Sequence, residues 1–200
     1  MINEIKYLEL LKEFMESENI AVLEDLKEQL EEEIRKSGAL KTNSKSRYSA
    51  LKRLEKRVEK ASRLNLKGYA VKDNKYWFTD SYMYAVLKDS CNFEENKNSF
   101  PIESLSNIDF KIELEKLDIT LEDLSYAIKT KTDYKNDIFK GKDYQDKEVT
   151  YSFDYKYLKD IIDIIGNKDI KIYTNKNNKN MIILMNKDIE RVVLLGKINY

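Results

Sequence analysis

The stretch Arg47–Leu87, RYSALKRLEKRVEKASRLNLKGYAVKDNKYWFTDSYMYAVL, decides how this chain folds. Leu51, Leu54, Val58 and Ala61 recur at helical spacing and predict a helix over Arg47–Ser62. Short apolar runs follow at Leu64–Val71, Lys75–Thr79 and Tyr82–Leu87, separated by turn residues, and read as strands. The same order returns near the C-terminus, in DYKYLKDIIDIIGNKDIKIYTNKNNKNMIILMNKDIERVVLL from Asp154 to Leu195. There a helix is expected over Asp154–Ile165, between an N-cap aspartate and the stop at Gly166, with Leu158, Ile161, Ile162 and Ile165 as its buried stripe. Strands are expected at Ile170–Thr174, Met181–Met185 and Arg191–Leu195. Duplicated helix-plus-sheet units build one domain, because neither unit alone covers its own apolar face. The expected fold is therefore α+β, made from two helix-plus-three-strand units.

Composition narrows the function classes. With 200 residues, 36% charged and 42% hydrophobic, the chain reads as a soluble globular domain large enough for a real core. No apolar run approaches the roughly 18 residues of a membrane span, and no secretory leader is expected before the first helix. The single Cys91 excludes an internal disulfide and fits a cytoplasmic, reducing setting. Histidine is absent, which removes the usual general base and the commonest metal ligand. No phosphate-binding glycine loop or metal motif appears, so the chain is expected to act by binding, with no cofactor and no catalytic residues.

A formal net charge of zero conceals a sharp polarity. Residues 1–40 hold 11 acidic and 5 basic side chains, whereas residues 41–67 hold 10 basic and 2 acidic ones. On a helical projection Lys52, Arg53, Lys56, Lys60 and Arg63 lie opposite the apolar stripe, with Arg57 at the edge. Like charges four residues apart cost a few tenths of a kcal/mol per pair. Phosphate binding would account for keeping them, since Lys and Arg gain affinity by releasing condensed counterions. Lys52, Arg53, Lys56, Arg57, Lys60 and Arg63 are thus the candidate DNA-binding residues. A merely solvated face, or one that docks the acidic N-terminal stretch of the same chain (residues 1–42), is the competing reading.

Upstream, Ile5, Leu8, Leu11 and Met15 predict one helix, and Val22, Leu23, Leu26, Leu30 and Ile34 a second over Val22–Lys36. Residues 1–42 are accordingly expected to form an acidic helical hairpin ahead of the domain 43–200. Between the two units, Phe100-Pro101 is expected to open an extended stretch to Leu114, and Thr120-Leu121-Glu122-Asp123 to start a helix. Tyr134–Lys147 is expected to be a mobile connection, and Glu148–Phe153 a strand.

The motif order from residue 46 onward resembles the bacterial DNA sliding clamp family (the polymerase III beta-subunit type), its short phage members above all. Leu66-Lys67-Gly68-Tyr69-Ala70-Val71 resembles the strand after the family's basic helix, and Trp77-Phe78-Thr79-Asp80-Ser81-Tyr82-Met83 its "ATDGYRL" turn. Phe100-Pro101 resembles a family "FP". Phe153-Asp154-Tyr155-Lys156-Tyr157-Leu158-Lys159-Asp160 is similar to "FNxxYLLDAL". Asp169-Ile170-Lys171-Ile172-Tyr173 and Val192-Val193-Leu194-Leu195-Gly196-Lys197-Ile198 follow in family order. Ser81 and Met83 replace the turn's usual Gly and Arg, and Gly196 replaces a C-terminal Pro. The resemblance implies a clamp-like domain, helices facing double-stranded DNA, contacts to phosphates alone, and a homo-oligomer, because the chain holds about one clamp domain. It also implies an accessory role in replication or transcription, with a polymerase or a host protein as further partner.

The alternative keeps the clamp fold as a protein-interaction module or as an inhibitor of a host clamp, nuclease or defence enzyme. Glu24, Asp25, Glu28, Glu31, Glu32 and Glu33 would then present a phosphate-like carboxylate surface to the partner. An enzyme would require carboxylates such as Asp73, Asp80 and Asp89 to meet in space, which nothing in their spacing demands.

Overall fold

A computed structural model describes residues 45–97, 99–142, 147–166, 169–187 and 190–199. The expected hairpin over 1–42, with its six partner-binding acids, lies outside them. Helix α1 (Lys45–Lys60) leads through a 3-10 turn (Leu64–Leu66) to strands β1 (Ala70–Lys72), β2 (Lys75–Thr79) and β3 (Met83–Leu87). Next come α2 (Ile102–Phe110), β4 (Leu114–Lys116), α3 (Leu121–Thr130), β5 (Tyr134–Lys142) and β6 (Glu148–Phe153). The second unit follows as α4 (Tyr155–Ile165), β7 (Lys171–Asn175), β8 (Met181–Met185) and β9 (Arg191–Leu195), closed by β10 (Lys197–Asn199). The protein is α+β, with four α-helices and antiparallel sheets among the described residues.

Strand order states the duplication directly. The seven-stranded sheet runs β1-β2-β3-β9-β8-β7-β4, so each unit contributes a three-strand meander. The third strands of the two units pair with each other, Ala85 lying opposite Val192. Side chains alternate across this sheet as a period of two requires. Phe78, Met83, Ala85, Leu87, Ile182, Leu184, Val192 and Leu194 face a core shared with α1, α3 and α4. Trp77, Tyr84, Val86, Ile183 and Val193 face the other side, where Phe100, Ile102 and Leu105 cover them. Both faces are dry, and β3 is accordingly buried at every position.

Four expectations are corrected. Leu64–Val71 is not one strand: the 3-10 turn takes its first part, and pairing begins at Ala70. The segment after Phe100-Pro101 is helical over Ile102–Phe110, because the exposed outer face of β1–β3 needs an apolar cover. Tyr134–Lys142 is a strand, its charges pointing outward while Phe139 is wholly buried against Phe153, with ring centroids 4.6 Å apart. In α4, Ile164 is buried where Ile162 was expected to be, and Ile162 is half-buried. The start of α3 agrees with the sequence: Thr120 and Asp123 form a reciprocal capping box. The β5–β6–β10 sheet packs its Val149, Tyr151 and Phe153 into the α1/α4 core, and Gly196 links it to the large sheet. A Cβ on Gly196 would stand 2.8 Å from the Tyr151 Cβ.

Candidate nucleic-acid interface

Helix α1 buries Ala50, Leu51, Leu54 and Val58, all at 1% exposure or less, and turns its other side outward. It stops without glycine. Ser62 adopts a left-handed conformation, φ 53°, while the Arg63 N–H donates to Val58 O and the Ser62 N–H to Glu59 O. These are the two bonds of a Schellman motif, and they satisfy carbonyls that the helix end leaves open. Ala61 therefore falls in an exposed turn and does not join the apolar stripe.

The six predicted basic residues divide into two groups. Arg53 and Arg57 lie along α4, the equivalent helix of the other unit. Arg53 Nε donates to Asp160 Oδ1 at 2.6 Å and its Nη2 to Asp163 Oδ2 at 2.8 Å. Arg57 bridges two carboxylates, donating through Nε to Asp80 and through Nη1 to Asp160, each at 2.6 Å. Its guanidinium also lies 4.4 Å from the centre of the Tyr157 ring. Burial alone would make Arg57 easier to deprotonate, but the hydrogen bonds and charges of Asp80 and Asp160 outweigh it and hold the cation firmly. Asp160 is itself buried, at 2% exposure.

The second group faces outward. Lys56 and Lys60 are exposed and form no ion pair among the described residues. Lys52 stands one turn earlier, with Glu55 at 3.6 Å. Arg63, just past the helix, donates to the Asp80 carbonyl at 3.2 Å and sits 5.6 Å from the Tyr82 ring, which is half exposed. The structure thus brings Lys52, Lys56 and Lys60 into one outward row and separates Arg53 and Arg57 from it.

Sequence reasoning missed Asp80, Asp160 and Tyr157 as partners of the arginines. Asp80 is fixed by its own turn, accepting from the Tyr82 and Met83 N–H groups at 3.0 and 3.1 Å. A usable signal was the pair Tyr157/Asp160, three apart on the side of α4 adjoining its apolar stripe. The carboxylates considered for catalysis lie apart in kind: Asp73 is in the exposed β1–β2 turn, Asp80 holds Arg57, and Asp89 stands beside Arg47 and Cys91. Among the described residues no three acidic or cysteine side chains converge as a metal site would require.

Two helices laid side by side on a continuous antiparallel sheet, with a cationic row on the outward side of one of them, define an α+β domain. No family model, curated protein or solved structure matches this chain. Among the described residues no helix is long and apolar enough to cross a membrane.

Proposed function

We propose that this chain is a sliding-clamp-like, phage-type DNA-binding accessory protein, serving replication or transcription by touching duplex phosphates without reading sequence. One observation carries the reading: Lys52, Lys56 and Lys60 form an outward row on α1, backed by a sheet that joins the two units. The α1/α4 pair holds nine basic and four acidic side chains, so its field remains positive after the internal pairs are made. The three ammonium groups of the row are hydrogen-bond donors only, which suits phosphate oxygens.

The test is fluorescence anisotropy with a random-sequence duplex over a salt series. Binding is expected to weaken steeply with salt, and Lys56→Glu/Lys60→Glu to lower affinity about tenfold or more while flattening the salt slope. Unchanged affinity and slope in that variant would remove the mechanism. The protein-interaction reading has one observation in its favour: Arg53 and Arg57 are committed to Asp80, Asp160 and Asp163, so the family-like basic face is narrower than its sequence implies. Under that reading the variant binds duplex as the wild type does, or neither binds.

A further inference from the structure

The turn between β2 and β3 carries a large ring where a small polar side chain is the usual choice. Asp80, Ser81, Tyr82 and Met83 close it: the Asp80 N–H donates to Met83 O at 3.3 Å, and Ser81 is left-handed at φ 79°. Tyr82 takes the third position, half exposed, and belongs to neither of the two buried apolar clusters. Its placement is nevertheless fixed. The Asp80 carboxylate accepts from the Tyr82 N–H at 3.0 Å, and the Tyr82 ring lies 6.0 Å from that of Tyr157, tilted by 54°. Tyr157 is held in turn by the Arg57 guanidinium over its ring.

Open donors border the ring. Arg63 follows Lys60, the last residue of α1, and its N–H bonds Val58 O, which keeps it folded against the helix end. Its guanidinium lies 5.6 Å from the centre of the Tyr82 ring and donates to the Asp80 carbonyl, and among the described residues it has no ion-pair partner. Most of its five N–H donors therefore stay open. A half-exposed ring beside such a guanidinium suits one ligand chemistry: a base stacks on the ring, and the phosphate attached to it takes the guanidinium. Bases inside a duplex have both faces covered by their neighbours and cannot use the ring. An unpaired base can.

We propose that Tyr82, with Arg63 beside it, is a stacking site for an unpaired base, so that the nucleic acid this chain takes is a duplex continued by a single strand. The inference rests on the nucleic-acid function proposed above and names its substrate more closely. Duplex phosphates lie along α1, and the strand that runs on past Lys60 meets Arg63 and then Tyr82. Stacking tolerates any base, since each has a flat face, so the site adds affinity for single strands without reading sequence. Because the turn and Tyr157 already hold the ring in place, little ordering is needed when a base arrives.

The test compares two hairpin duplexes by fluorescence anisotropy, one with a single-stranded tail of about four nucleotides, the other with the same tail made abasic. Both carry the same phosphates, so their affinity ratio isolates the bases. The full chain is expected to bind the base-bearing tail about tenfold tighter, with a ratio that holds between about 50 and 200 mM salt while both affinities fall. Tyr82→Ala should bring the ratio to about one, and Tyr82→Phe, which keeps the ring, should preserve it. On the unaltered chain, 5-iodouracil in the tail should photo-cross-link to Tyr82. A ratio near one in the wild type, a ratio kept by Tyr82→Ala or lost in Tyr82→Phe, or cross-links only elsewhere would overturn the proposal. Lys56→Glu/Lys60→Glu separates the two readings. If it weakens both ligands alike and the wild-type ratio is one, the duplex surface stands and the stacking site falls. If it changes nothing while the ratio is tenfold and needs Tyr82, the duplex row falls and the stacking site stands. No binding of either ligand at any salt overturns both.

Discussion

Arg57 illustrates how a charge read as surface becomes structural. Its side chain is about three-quarters covered, and both its carboxylate partners are buried at 3% exposure or less. Replacing Arg57 with Ala leaves Asp80 and Asp160 in the interior without their shared cation, which costs about 3–5 kcal/mol when a buried pair is broken from one side. Urea unfolding of Arg57→Ala is expected to show that loss, and Arg57→Lys most of it, since an ammonium cannot reproduce the fork. A change within about 0.5 kcal/mol would mean the cluster is surface decoration. Glu190 makes the complementary case. Burial would raise its pKa, but the Arg47 fork at 2.9 and 3.1 Å, the Lys88 N–H and Asn186 more than offset this and hold it below the usual range. With the folded pKa below the unfolded one, Glu190 stabilises fully above the ordinary glutamate range, and that contribution is lost as pH falls through the folded value. Glu190→Gln should therefore be less stable than wild type at neutral pH, with the gap closing between about pH 5 and pH 3. A gap that ignores pH would show that another group carries the acid sensitivity.

At the scale of elements, legibility followed how far each segment's partners are local. The strands Lys75–Thr79, Met181–Met185 and Arg191–Leu195 have their expected bounds, because an unbroken apolar run bounded by turn residues allows few other readings. Helix α2 was hidden: its nine residues carry a weak pattern and none is buried, and its reason to exist is the face of β1–β3 far away in sequence. Strand β5 was hidden too, since Lys135, Asn136 and Asp137 look like loop residues until Phe139 finds Phe153. The row on α1 was legible as a face, but its division was not, because α4 supplies the acids from more than 100 residues away. Gly68 carries a prediction at this scale. It takes φ +76° where the chain turns into β1, and an added Cβ would lie 2.2 Å from the Glu94 carbonyl oxygen. Gly68→Ala combines a left-handed penalty with a backbone clash and is expected to cost about 2 kcal/mol or more in chemical denaturation. A neutral result would mean that the Tyr69–Glu95 bridge beside it can shift freely.

On the scale of the whole molecule, one helix pair offers one face. At 1.5 Å per residue, α1 is about 24 Å long and α4 about 16 Å, enough to lie against one side of a duplex but not to surround it. Retention on DNA by encirclement therefore demands several copies joined so that their α1 rows point inward, and a closed ring resists dissociation for a topological reason that salt cannot screen. That separates it from simple phosphate binding, which salt weakens steeply. Light scattering behind a sizing column should then give a mass several times that of one chain. After assembly on a covalently closed plasmid, the protein should stay bound through a wash at about 1 M salt and leave when one cut linearises the circle. Equal loss from circular and linear DNA, or a monomer or dimer in solution, would eliminate the ring. The cationic row would then act as an open surface, held to phosphates by charge alone.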